Sequence, residues 1–372
     1  MRKYLTNILI IFISIIIGLV MIEVLLRIFL PQNLNISQID EERVYKHAPN
    51  IESVLKRQEF LTHVKINSLG LRDREYAFQK PANTERIAVV GDSFVFGYGV
   101  ELNETFVKLL ENKLNKQSNK TFEVMNFGTS AYGTEQEYLT IKNDVVLYSP
   151  DVIILVFFSN DLKDNMKFNL FSVKNNTLIQ NPPQKITAIL KIRNFISWHS
   201  HLYALIYRSV IDNQNLRNLL IKAKLLNPPY KEPSTDFDSL IYQNSYNADF
   251  EYSMNKTILL LNKIKETSNN HNLRFILLLA PSKEQVDDTE MKKYISKMNI
   301  NTSELNATLV QDTIKISLRK SNITIWDLSE QFMENSINNT FYYDTDPHWN
   351  KKGHELAANI IYENLINKIN IS

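Results

Sequence analysis

Five short runs of continuous apolar residues, separated by amphipathic stretches, limit what this chain can fold into more than any other feature. They are Arg86–Gly91 (RIAVVG), Phe122–Phe127 (FEVMNF), Asp151–Phe158 (DVIILVFF), Arg274–Ala280 (RFILLLA) and Ile323–Asp327 (ITIWD). A strand with one wet face alternates polar and apolar residues, whereas a run that is apolar throughout is buried on both faces, as in a parallel sheet covered by helices. Helices are expected over Thr105–Lys116, Gly133–Val146, Tyr252–Asn269, Leu305–Lys320 and Lys351–Lys368; Met254, Ile258, Leu261 and Ile264, for example, recur at helical spacing. Strands alternating with such helices predict an α/β fold. One connection is out of scale, because about 115 residues separate Phe158 from Arg274, where a crossover needs a dozen or so plus its helix. An insertion is therefore expected at about 161–272. Within it, Ile186–Leu226 reads as one or two amphipathic helices closed by Asn227-Pro228-Pro229. They either cap the sheet and shape a substrate groove or pad the fold.

The N-terminus has a different character. From Tyr4 to Ile22 the chain runs 19 residues without a charge, long enough as a helix to cross roughly 30 Å of hydrocarbon. No small-x-small cleavage signal follows in VMIEVLLRIFLPQ, and the apolar run exceeds the usual core of a signal peptide, so a retained anchor is expected. Arg2 and Lys3 precede it, which by the positive-inside rule leaves the N-terminus cytoplasmic and everything after Pro31 outside. The expected organisation is an anchor over 1–30, a polar juxtamembrane lead-in over 31–84, and an α/β domain over 85–372.

Charge narrows the partners. The chain holds 42 Lys plus Arg against 40 Asp plus Glu, and the excess belongs to the first 30 residues, where Arg2, Lys3 and Arg27 face only Glu23. The rest is balanced and has no long basic run, which argues against nucleic acid as the main partner. With no cysteine, the chain has no disulfides, thiolate metal sites or cysteine nucleophile.

The chemistry starts at the first strand. RIAVVG runs into Asp92-Ser93, placing a hydroxyl past the carboxyl end of a strand, where α/β sheets hold their ligands. GDSFVFGYG lacks both the Lys-Ser/Thr pair of a P-loop and the GxGxxG order of a dinucleotide site. A serine hydroxyl needs a positioned base. Of the seven histidines, only His348 has two carboxylates, Asp344 and Asp346, close before it and a helix directly after. His354 is expected to pack or cap, and His199-x-His201 to be structural, since no third metal ligand is near. No metal or cofactor is expected.

Taken together, four blocks resemble the SGNH (GDSL-type) hydrolase family over about Arg86–Leu365, the insertion excepted. They are Gly91-Asp92-Ser93-Phe94, Asn126-Phe127-Gly128, Phe158-Ser159-Asn160-Asp161 and Asp346-Pro347-His348. The resemblance implies a three-layer α/β/α sandwich with a five-stranded, flavodoxin-like parallel sheet. It implies Ser93 as nucleophile, His348 as base and an oxyanion hole from the Ser93 and Gly128 amides and the Asn160 side chain. The supporting acid is Asp346 or Asp344; the D-x-H-W-N-x-x-G-H ending resembles a membrane-associated branch of the family, which favours Asp346. The expected function is a membrane-tethered serine esterase acting on O-acyl groups of exported or cell-envelope glycans. Two alternatives are acyl transfer by the same serine, with a membrane-bound acyl-transfer partner, and a non-catalytic binding protein on a hydrolase fold. NSLGLRDRE at Asn67–Glu75 resembles SGNH-like proteins that accompany polysaccharide O-acylation systems, which bears on the first of these.

Overall fold

In the computed structural model, which describes residues 2–222, 237–244, 247–337 and 339–369, the five apolar runs pair as one parallel sheet. Its strands are β1 (Thr84–Gly91), β2 (Thr121–Gly128), β3 (Val152–Phe157), β4 (Arg274–Leu279) and β5 (Thr324–Asp327). They lie in the order β2-β1-β3-β4-β5, the flavodoxin-like order, whose reversal between β1 and β3 opens a ligand crevice at the carboxyl ends of those strands. Register puts Gly91 beside Gly128 and Ile87 beside Val152, so the residues that follow β1, β2 and β3 emerge next to one another.

Each strand sends alternate residues to opposite faces. Ile87, Val89, Val124, Ile154 and Val156 pack with Phe106 and Leu110 of helix Phe106–Gln117 and Ile361 and Leu365 of helix Lys351–Ile369. Ala88, Val90, Met125, Ile153 and Leu155 pack with Leu139 of helix Thr134–Asn143, Leu260, Leu261 and Ile264 of helix Ala248–Asn270, and Ile314. Helices on both faces make three layers.

The polar lead-in proves to be part of this body. Two antiparallel hairpins, Ser37–His47 and Glu52–Lys65, precede β1. Tyr76 joins the main core. The buried Asp73 carboxylate accepts from Asn126 N at 2.9 Å and pairs with Lys108 Nζ at 2.8 Å. Charged residues of the polar lead-in thus lock 31–84 onto β2.

The insertion is several elements. Helix Asp161–Phe168 and hairpin Phe171–Gln180 follow β3 directly. Three helices follow them: α1 (Ala188–His199), α2 (His201–Asp212) and α3 (Gln214–Lys222), where the sequence suggests one or two. Their expected Asn227-Pro228-Pro229 terminus lies outside the described residues. A buried ion pair, Lys256 Nζ to Glu135 Oε1 at 3.0 Å, ties helix Ala248–Asn270 to helix Thr134–Asn143, and Glu135 also accepts from Leu170 N and Phe171 N. Removing one member of such a pair strands the other in the core. Lys256→Met should therefore lower the unfolding free energy by about 3–5 kcal/mol, measured by denaturant titration.

Residues Arg2–Phe29 form one helix, roughly 42 Å long at 1.5 Å per residue. Within its span Lys3–Phe29 an 18-residue window has a mean hydropathy of 3.1, and none of that window is buried against the rest of the chain. By length and composition it is able to cross a membrane.

Candidate active site

The turn after β1 is built to present a hydroxyl. Asp92 is fully buried and caps the four-residue helix Ser93–Phe96 by accepting from Phe94 N at 2.9 Å. The buried Arg72 guanidinium donates to Phe96 O, Gly97 O and Val100 O at 2.9, 2.7 and 2.8 Å, holding the following loop. Ser93 keeps 8 % exposure. Its Oγ lies 2.7 Å from His348 Nε2, and His348 Nδ1 lies 2.5 Å from Asp346 Oδ1. With the carboxylate on Nδ1, the imidazole carries its proton there and leaves Nε2 as acceptor for the serine O–H.

Asp346, rather than Asp344, faces the ring. Its Oδ1 also accepts from His348 N at 3.0 Å. Partial burial raises its pKa, and the hydrogen bonds and charge of His348 outweigh that, so the carboxyl sits below its ordinary value. Asp344 is held through its backbone: its N–H donates to Glu59 Oε1 at 2.6 Å and its carbonyl accepts from Lys283 Nζ at 2.7 Å. Glu59 also accepts from Thr345 N at 2.9 Å. The tip of hairpin Glu52–Lys65 therefore clamps the acid-bearing loop from far away in sequence.

The W-N-x-x-G-H run after His348 is structural. Trp349 is fully buried and stands edge-on to Phe94 and against Phe332. Asn350 Oδ1 accepts from Lys352 N and Gly353 N at 2.9 and 3.1 Å, as a helix N-cap. A Cβ on Gly353 would come within 2.3 Å of Phe341 O. His354 is buried and accepts from Phe106 N at 3.2 Å; burial pushes its imidazole down to about 3. His199 and His201 sit in the α1–α2 corner, where His201 Nδ1 accepts from Gln32 N at 2.8 Å. Two aromatic rings flank the His348 imidazole, Tyr98 at 4.7 Å and Phe94 at 5.4 Å between centroids.

The three expected oxyanion donors do not fare alike. Ser93 N begins its helix, where the first N–H groups have no intrahelical partner. Asn160 Nδ2 lies 3.3 Å from Asp92 Oδ2, and that same Oδ2 is 3.4 Å from Ser93 Oγ, so the amide borders the hydroxyl. Gly128 closes β2 beside Gly91. Its N–H donates to the Oδ1 of the fully buried Asn126 at 2.9 Å, and a Cβ there would come within 2.1 Å of Phe96 N. The glycine is needed so that β2 can pass close beneath helix Ser93–Phe96, and its amide is paired with Asn126 in this structure.

Under the serine lie three buried acids. Burial raises the Asp92 carboxyl, only partly offset by Phe94 N, the His348 charge and Asn160. Burial, then the neighbouring carboxyls, push Glu137 and Asp161 well up. Asn160→Ala, which removes one donor, should lower kcat by about 10²- to 10³-fold, with a thermal unfolding curve like that of the wild type as the control.

A hydroxyl, imidazole and carboxylate relayed at the switch point of a doubly wound sheet are the working parts of a serine hydrolase. The model of the GDSL-like lipase/acylhydrolase family matches residues 87–361. The chain belongs to that family and is an enzyme that hydrolyses ester bonds. No curated protein matches it. Similar solved structures include the acetyl xylan esterase AlAXEase, at 14 % identity and a TM-score of 0.42, covering 75 % of this chain and 98 % of that one. The lipase/acylhydrolase from Enterococcus faecalis is 12 % identical with a TM-score of 0.39, covering 76 % and 95 %. A member of the lipolytic protein G-D-S-L family from Veillonella parvula is 15 % identical with a TM-score of 0.40, covering 77 % and 100 %.

Proposed function

We propose that this enzyme is a membrane-tethered serine esterase that removes O-acyl groups from exported or cell-envelope glycans through an acyl-Ser93 intermediate. The observation that carries the chemistry is the relay Ser93 Oγ to His348 Nε2 at 2.7 Å and His348 Nδ1 to Asp346 at 2.5 Å. In this reading Ser93 Oγ attacks the ester carbonyl carbon while Nε2 takes its proton. Ser93 N and Asn160 Nδ2 stabilise the oxyanion. Collapse expels the alcohol, which receives the proton from His348, and a water molecule then repeats the sequence to free the acid and the serine.

The tether supports the choice of substrate. A 19-residue uncharged run, led by Arg2 and Lys3 and not buried in the fold, fits an N-terminus inside and a catalytic domain outside. An enzyme held there stays beside polymer being exported. An acyl-Ser93 attacked by a sugar hydroxyl instead of water would make the same residues an O-acyltransferase. The chain is incubated in vesicles with a short p-nitrophenyl ester, with and without glycan acceptors, and products are weighed by mass spectrometry. Free acid alone supports the esterase; acylated glycan at the expense of acid supports transfer. Protection of the C-terminal part from protease added to intact cells would sink the orientation.

A further inference from the structure

The helices α1 to α3 of the insertion do not cap the catalytic serine; their first corner is clasped to the end of the N-terminal apolar helix. Glu23, one residue beyond the uncharged run, accepts from His201 N and Leu202 N at 2.9 and 2.8 Å and from Ser200 Oγ at 2.9 Å. It thereby caps the start of α2 from another helix. Arg27 donates to His199 O, and Gln32 N to His201 Nδ1. The corner is thus fixed against the C-terminal end of the apolar helix.

From that corner α1 turns one face to the protein and another away. Trp198 Nε1 donates to Ser37 O at 2.8 Å and Asn35 Nδ2 to Ser197 Oγ at 3.2 Å. The other face carries Ile189, Ile192 and Ile196 at helical spacing beside Phe195; Ile189 is 78 % exposed, Ile192 61 % and Phe195 60 %. Ile206 on α2 and Leu219 on α3 are exposed as well, at 54 % and 61 %. Side chains of this size left bare on consecutive helices mark a contact surface. The charges on these helices are Lys191, Arg193, Arg208, Arg217 and Lys222 against Asp212 alone. Apolar face plus basic flank is the pattern of a helix lying in a lipid interface.

We propose that Ala188–Lys222 is a second membrane-contact element, seated in the headgroup layer on phospholipid, which holds the catalytic domain against the bilayer surface. The inference rests on the tether reading above, because lipid is chosen as the occupant through continuity with the apolar helix, whose most apolar stretch is left unburied by the fold. It also deepens that reading. A cleft of about 610 Å³ between α1, α2 and the lead-in is lined by Arg57, Arg193, Tyr203 and Arg208 among others. Arg57 stands over the Tyr98 ring at 5.9 Å, and Tyr98 flanks His348. Seated on lipid, the element brings this arginine-lined cleft to the height of the lipid phosphates, on a path to the imidazole. A substrate carried on a phosphate-bearing lipid fits that geometry.

The absence of cysteine makes the test direct. Full-length Ile192→Cys, Leu219→Cys, Ile11→Cys and Ile316→Cys chains, each carrying one environment-sensitive fluorophore, are reconstituted in phosphatidylcholine–phosphatidylglycerol vesicles containing nitroxide lipids. Shallow nitroxides should quench the labels at 192 and 219, whose emission the lipid interface blue-shifts, deep ones should quench the label at 11, and neither the label at 316, which is exposed on the helix Leu309–Ser317. Quenching at 11 with labels at 192 and 219 as unquenched as 316 overturns the inference and leaves the tether intact. A blue shift at 192 without quenching also overturns it, since a protein partner or second copy then covers the face. No quenching at 11 removes the tether reading itself.

Discussion

Ser93→Ala is expected to lower the rate of p-nitrophenyl ester hydrolysis by roughly 10⁴- to 10⁶-fold, the scale on which removal of a triad nucleophile acts. The variant loses one oxygen, which lies 2.7 Å from His348 Nε2 and 3.4 Å from Asp92 Oδ2. Nothing else in the site changes. Asp92 still caps the short helix through Phe94 N, and Arg72 still holds the loop beyond it. The stability change should stay within about 1 kcal/mol, as for substitutions that create no cavity and strand no charge. The binding surface and the Asn160 amide remain, so residual activity above the uncatalysed rate is expected. Equal rates for wild type and variant would falsify the nucleophile assignment.

Asp346→Asn comes second in size and is paired with Asp344→Asn. At position 346 an amide offers the ring an N–H donor as readily as an acceptor, so the imidazole loses the partner that fixes its tautomer and stabilises its charged form. Such a change costs about 10⁴-fold in kcat in a serine–histidine–aspartate site. At position 344 the contacts are made by the backbone N–H and carbonyl, which asparagine keeps, and little change is expected. Because the Asp346 carboxyl is held below its ordinary value, it stays ionised as pH falls to that lowered point. An inflection in the wild-type kcat profile near the ordinary carboxylate value of about 4 would therefore count against this pairing.

Much of this could be read from the chain because buried parallel strands declare themselves. All five apolar runs became strands of the sheet with shifts of one or two residues at their ends, since only burial on both faces tolerates such continuous apolarity. Ser93 and His348 stood out because one ends a strand and the other precedes a helix, and the fold brings them together across 255 positions. What stayed hidden depended on direction and distance. Spacing placed Gly128 at the right strand end, but which way its N–H points is decided by packing against Phe96 and by the Asn126 side chain. Glu59 carries no local signal at all; it matters because a hairpin tip reaches a loop 285 residues away. The segment 31–84 reads as a polar lead-in because its few buried apolar residues, such as Val64 and Ile66 packed on Phe96, are scattered among charges, and because Arg72 and Asp73, whose polar atoms count as surface in any composition argument, are buried too. The insertion helices were legible as amphipathic, yet their apolar face alone could not say whether it covers the sheet or points away from it.

The central claim is that Ser93 is activated as a nucleophile by this relay. The most direct measurement treats the full-length chain in vesicles with a fluorophosphonate and locates the adduct by peptide mass mapping. The account predicts one phosphonyl group, on Ser93, with loss of ester hydrolysis in step with labelling and no adduct in Ser93→Ala. An active chain that stays unlabelled, or one that carries the adduct on another residue while its activity disappears, would contradict it.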